Sequence, residues 1–174
     1  ADPYCVVSSA LGALSGPLHG GANEATIQLF NRIGSAKNAR AVVEEMVTRK
    51  EKIPGCGHRI YKTVDPRAKI LKVYAEQLTR KSGNCHYEIA LEVEKVVHAH
   101  YADKGIWPNV DFFSGIVYAE LGIPPVCFTP IFAMARVSGW LAHWLEQLEN
   151  NRIFRPTQRY VGGHDQPYIP IAGR

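Results

Sequence analysis

Two imidazoles and a carboxylate sit where their surroundings could put them to chemical use. His19 lies in "GPLHGGANEA", between a proline turn and paired glycines, just ahead of a stretch that can begin a helix. An N–H presented there can meet a carbonyl oxygen, and glycine beside it leaves space for a ligand. A loop histidine beside a tight turn accounts for the same string. His58 lies in "IPGCGHRIYKTVDPRA", residues 53 to 68. There Gly55 and Gly57 let the main chain approach another molecule closely, while His58, Lys62 and Arg67 could bind an anion that carries a reactive carbonyl. The third glycine and the preceding strand of a dinucleotide fingerprint are absent, and the string is no phosphate-cradling lysine loop. The plain alternative is a solvated basic cluster, with Asp65 capping a helix begun by Pro66.

Asp111, in "WPNVDFFSG", falls in the first turn of a predicted helix. The helix dipole there should help keep a carboxylate ionised and ready to accept a proton, although an ordinary first-turn acid fits as well. Arg136 stands near the start of the apolar, tryptophan-rich "ARVSGWLAHWLEQ" and on such a face needs a buried acid or an anionic ligand. His98 and His100 in "HAHY" are not a metal site on this reading. Positions i and i+2 face different ways on a helix, and no acid or cysteine stands at a matching spacing.

Helices must position these groups, because apolar residues recur at helical spacing and period-2 alternation is scarce. The predicted faces are Val42, Val43, Met46 and Val47; Ile70, Leu71, Tyr74 and Leu78; Ile89, Val93, Val96 and Val97; and Phe113, Val117 and Leu121. A longer helix carries Trp140, Leu141, Trp144, Leu145 and Leu148. The expected fold class is all-α, with Gly/Pro loops at "SGPLHGG", "KIPGCGH", "GIWPN" and "GIPPVCFTP". From Arg155 onward, proline and glycine break any helical face, so that tail should run extended over a surface.

Composition narrows the function classes. At 174 residues, 46% hydrophobic and 21% charged, the chain reads as globular. A formal net charge of +4 favours small anions and lacks the basic stripes of a nucleic-acid binder. Four scattered cysteines, without a C-x-x-C pair, point to a reduced, cytoplasmic setting. No apolar run is expected to approach the roughly 20 residues of a membrane span, and no signal peptide opens the chain, so a soluble protein away from membranes is expected. The chain begins without methionine inside a helical pattern, which reads as a fragment or a processed chain.

Taken in order, "GPLHGGANE", "PGCGHRIYKTVDPR", "WPNVDFFSG", "ARVSGWLAHWLEQ" and "RIFRPTQRYVG" closely resemble the C-terminal half of citrate synthase, over nearly the whole chain. The resemblance implies condensation of acetyl-CoA with oxaloacetate, followed by thioester hydrolysis, with no metal and no redox cofactor. It implies Asp111 as general base, His19 as donor to the enol or enolate oxygen, and His58 as the donor polarising the oxaloacetate carbonyl. Arg67, Arg136 and Arg155 would hold the oxaloacetate carboxylates, Arg155 from a partner subunit, so a homodimer is implied. On the CoA side it implies the "IPGCG" backbone (Ile53, Pro54, Gly55, Gly57), Lys62, Lys104 and Asn109. Residues 1–19 and 123–174 would belong to a large domain and 20–122 to a small, CoA-binding domain. With partner helices absent, the apolar face of "IFAMARVSGWLAHWL" should lie uncovered and the chain alone should have little activity. Two alternatives remain: 2-methylcitrate synthase acting on propionyl-CoA, or a non-catalytic helical module for CoA binding or dimerisation.

Overall fold

Local caps explain where the helices begin and end. The computed structural model describes residues 1–16 and 19–173; Pro17, with the turn expected there, Leu18 and Arg174 lie outside the described residues. α1 (Pro3–Leu14) starts where the Asp2 carboxylate accepts the N–H groups of Tyr4 and Cys5, with Pro3 in the first turn where its missing N–H costs nothing. α2 (Ala22–Ile33) ends at Gly34 and α3 (Ala36–Thr48) follows after Ser35. α4 (Pro66–Ser82) runs from an Asp65 cap to Gly83 in the left-handed conformation. α5 (His86–Tyr101), α6 (Val110–Glu120) and α7 (Phe128–Glu149) complete the set. Among the described residues the only β-pairing is an isolated antiparallel bridge between Cys56 and Pro108, so the all-α expectation holds.

α2 to α6 enclose one core. α3, with Val43 and Met46 buried, packs on α5, with Ile89, Val93 and Val97 buried, while Phe30 of α2 stands edge-on to Phe112 of α6, ring centroids 5.5 Å apart. Burial of these apolar side chains is the main stabilising term, at about 1.5–3 kcal/mol for each large one. α2 and α6 cross closely at Gly115, where an added Cβ would lie 2.8 Å from the Asn23 carbonyl oxygen. That crossing brings the start of α2, just after His19, toward the start of α6, which carries Asp111.

Three details differ from the sequence reading. On α4, Ile70 and Tyr74 are exposed, and the inward face is Ala68, Leu71, Ala75 and Thr79. α4 packs against α6, and small side chains permit that approach, so the buried stripe is rotated from the bulkiest one. Leu121 is exposed beyond the end of α6, because the chain turns at Gly122 with φ +75°. The segment Pro125–Glu149 is also long and apolar enough, by length and composition, to cross a membrane, which corrects the expectation that no run approaches that length. Arg136 sits mid-segment, where a charge in hydrocarbon costs at least about 2.5 kcal/mol.

α7 packs along α1, and the Trp144 indole N–H donates to the Ala1 carbonyl. Of α7 only Phe128 and Ala133 are buried, and Met134 and Leu145 are exposed, as the uncovered-face expectation had it. From Asn150 to Gly173 every residue is exposed. The tail therefore does not lie buried against this chain's own surface, for its prolines and glycines prevent a continuous apolar face.

Candidate active site

The loop before α4 is built around bare backbone. Gly55 has φ +73°, and a Cβ there would come 2.8 Å from the Phe112 Cα and 2.8 Å from Thr26 Oγ1, so the loop presses directly on α6 and α2. The Gly57 N–H donates to the Trp107 carbonyl at 2.8 Å, and the Asn109 N–H donates to the Gly55 carbonyl at 2.9 Å. This short ladder lays the loop alongside the entry to α6. Beyond it the chain folds back on His58, whose Nδ1 accepts the N–H groups of Ile60 at 3.1 Å and Tyr61 at 3.0 Å. A nitrogen that accepts two hydrogen bonds carries no proton, so Nε2 bears the N–H and is the donor. The Tyr61 ring stacks on the imidazole at 4.5 Å.

Asp111 occupies the first turn of α6, its own N–H capped by Asn109 Oδ1 at 2.8 Å. Among the described residues no group donates a hydrogen bond to its carboxylate, which leaves both oxygens free to accept a proton. Burial pushes the Asp111 carboxyl above the usual carboxylate value, while His19 and Arg67 pull it the other way. The dipole expectation is corrected accordingly: desolvation outweighs the favourable charges, and the group becomes a stronger base.

His19 is exposed in the turn ahead of α2, its ring edge-on to Phe132 of α7 at 5.6 Å. Arg136, one helical turn beyond Phe132, rests its guanidinium over the same ring at 5.3 Å. Of the partners expected for Arg136, a buried acid or an anionic ligand, the acid is not found: among the described residues no carboxylate pairs with it, and an aromatic face supports the guanidinium instead. Arg67 is held by Asp65 in a two-point ion pair.

One cleft of about 950 Å³ collects His19, His58, Arg67, Asp111 and Arg136. Ile53, Pro54, Gly55, Gly57 and Asn109 also line it. Lys62 and Lys104 do not line it. The Lys62 backbone lies against Gly105, where a Cβ would meet the Lys62 carbonyl oxygen at 3.2 Å, so both lysines stand near one turn. Arg155 lies apart, on the exposed tail. Cys56 lines the cleft too, but burial drives its thiol far up, so it is no nucleophile there. Among the described residues no cluster of histidine, cysteine or acidic side chains has metal-binding geometry.

The family model for the citrate synthase C-terminal domain matches residues 1–157. The chain belongs to the citrate synthase family. A citrate synthase of Synechocystis is 56% identical over 174 residues, covering 99% of this chain and 44% of its own length. One of Acidithiobacillus ferridurans is 51% identical over 99% of this chain and 46% of its own. The citrate synthase of Thermoplasma acidophilum, solved as a ternary complex with carboxymethyl coenzyme A and oxaloacetate, superposes with a TM-score of 0.87. It is 44% identical, and the match covers 97% of this chain and 46% of that one. The chain thus spans less than half the length of these citrate synthases.

Sequence reasoning about this citrate synthase family member missed three supporting groups. Asp65 was legible as a helix cap but not as the partner of Arg67, although two positions separate them in "DPR". Tyr61 against His58 and Phe132 between His19 and Arg136 had no signal in spacing, since each contact depends on how a loop folds back or where α7 crosses.

Proposed function

We propose that this chain supplies the condensing site of a citrate synthase, joining acetyl-CoA and oxaloacetate to give citrate and CoA. The observation that carries the reading is the convergence of His19, His58 and Asp111 in one cleft with Arg67 and Arg136. Asp111 removes a proton from the thioester methyl. A thioester α-proton is far less acidic than a carboxylic acid, so charge developing on the thioester oxygen must be met at the same moment, and the His19 N–H does this. The methylene carbon then forms a bond to the ketone carbon of oxaloacetate as the carbonyl π bond breaks, and the oxygen, hydrogen-bonded by His58 Nε2, takes that N–H proton to become the hydroxyl, His58 being reprotonated from solvent. Water cleaves the citryl thioester, releasing CoA as thiol. None of these steps calls on a metal or a redox cofactor.

Arg67 and Arg136 hold the two ends of the keto-diacid, where forked donors fix orientation as well as charge. The CoA moiety lies along the 53–57 backbone, with Lys62 and Lys104 near its phosphates. Arg155, on the tail, completes the oxaloacetate site of a partner subunit in a homodimer. The division into a small domain, 20–122, closing on segments 1–19 and 123–174 belongs to the same reading, and so does a cytoplasmic setting, which the four free thiols support.

The test is CoA release from acetyl-CoA and oxaloacetate, measured on the chain alone and on the chain co-expressed with the N-terminal remainder of the Synechocystis relative. Turnover is expected in the second case, dependent on both substrates and abolished by Asp111→Asn. Absence of turnover together with no calorimetric binding of CoA or oxaloacetate would sink the reading.

A further inference from the structure

We propose that Asn109 is a positioning residue, a latch that fixes the loop bearing His58 to the helix bearing Asp111 so that the two groups keep one spacing. Its side chain engages both elements at once. Oδ1 accepts the Asp111 N–H at 2.8 Å, and Nδ2 donates to the Gly57 carbonyl at 2.8 Å. Its own N–H adds a third bond, to the Gly55 carbonyl at 2.9 Å. An N–H can only donate and a carbonyl can only accept, so the amide has one orientation here and neither end can be exchanged for the other. Each bond ends on or beside a proposed reacting group: Asp111 is itself the capped residue, and His58 follows Gly57.

The residue type carries the inference. A helix N-cap is served about equally well by Asn, Asp or Ser, since each offers an acceptor. Ser has a single short hydroxyl that cannot cap Asp111 and reach the Gly57 carbonyl together, and ionised Asp has no donor, so of the three only Asn presents a separate donor to the facing loop. Capping alone therefore does not require asparagine, but capping and latching together do. The amide is largely committed to these internal bonds, which makes contact with CoA a secondary role for it. His19 is outside this unit, because it is carried by the turn ahead of α2 and rests against α7. The latch makes His58 and Asp111 one rigid pair that approaches His19 and Arg136 as a body. Orientation of reacting groups is worth large factors in rate, and a displacement near 1 Å can cost about a hundredfold.

The effect on rate rests on the proposed condensation; the latch itself is geometric, so two readouts separate them. Asn109→Ser and Asn109→Asp both keep the cap acceptor, but Ser cannot reach Gly57 and Asp turns an oxygen toward its carbonyl. Amide hydrogen exchange on the chain should accelerate at least about tenfold at Gly57 and Tyr61 in both variants, while Phe113 to Ile116 in α6 stay within about threefold of native. Unchanged exchange at Gly57 and Tyr61, or equal acceleration throughout α6, overturns the latch. In the co-expressed enzyme, kcat should fall at least about tenfold with both KM values within about threefold. A rise in KM at unchanged kcat overturns the positioning role. If native protein condenses nothing, the proposed function fails, and the exchange result still decides whether the latch exists.

Discussion

The buried carboxylate of Asp65 grips the half-exposed guanidinium of Arg67 at two points, Nε to Oδ1 at 3.1 Å and Nη2 to Oδ2 at 2.7 Å. The same Oδ1 accepts the Arg67 N–H at 2.9 Å and so caps α4. One acid thus starts the helix and aims the cation that it carries into the cleft, which spares Arg67 much of the entropy of finding its orientation.

Replacing Asp65 by Asn keeps a cap and removes the ion pair. Hydrogen bonding from Arg67 holds the Asp65 carboxyl below its ordinary value of 3.8. A depressed value means that the pair contributes stability above that pH and loses it as pH falls further. Asp65→Asn should therefore cost about 1 kcal/mol at pH 7, discounted for the exposure of Arg67. Urea unfolding should show the gap from native shrinking progressively below pH 3.8.

Asp111 should behave in the opposite sense. Burial, its largest influence, holds the carboxyl above 3.8, so the folded state prefers it protonated and is destabilised once it ionises. Asp111→Asn should melt higher than native at pH 7, and the two curves should converge below pH 3.8. Circular dichroism melts at pH 7 and pH 3.5 measure this; a lower melting temperature for the variant at pH 7 would contradict the sign.

His58 donates through Nε2 because two backbone N–H groups occupy Nδ1. Loss of one preorganised donor typically lowers kcat by about 10²–10³. His58→Asn in the co-expressed enzyme should fall in that range, with the KM for the CoA thioester little changed. Initial rates of CoA release across both substrates provide the measurement.

Gly115 sets the separation of α2 and α6. A Cβ there would lie 2.8 Å from the Asn23 carbonyl oxygen, which cannot retreat without moving α2, and 2.8 Å from Ile27 Cγ1, which can retreat only by changing rotamer in a packed core. Gly115→Ala should cost about 1–3 kcal/mol. Thermal unfolding should register about 2–4 °C per kcal/mol for a chain of this size.

The helices and several residues that the cleft gathers were legible because both are local: capping residues, 3.6-residue periodicity, and short strings around His19, His58 and Asp111. Ile89, Val93, Val96 and Val97 are buried as their spacing requires. The α4 face was not legible, since only the proximity of α6 decides that Ala75 goes inward and Tyr74 outward. Burial of Asp111 was likewise invisible, because the loop at Gly55 and helix α2, which pack against α6, are far away in sequence. Its local position, at a helix start, pointed to the wrong sign.

The unpacked tail has a practical consequence for handling the protein. Arg152 and Arg159 present scissile bonds on a stretch of chain with no helical hydrogen bonds to break first, while the bond after Arg155 precedes Pro156 and resists trypsin. Trace trypsin should nick at those two bonds before it touches the helices and release the terminal peptide, and a binding partner that covers the tail around Arg155 would show itself as a delayed cut after Arg152 and Arg159.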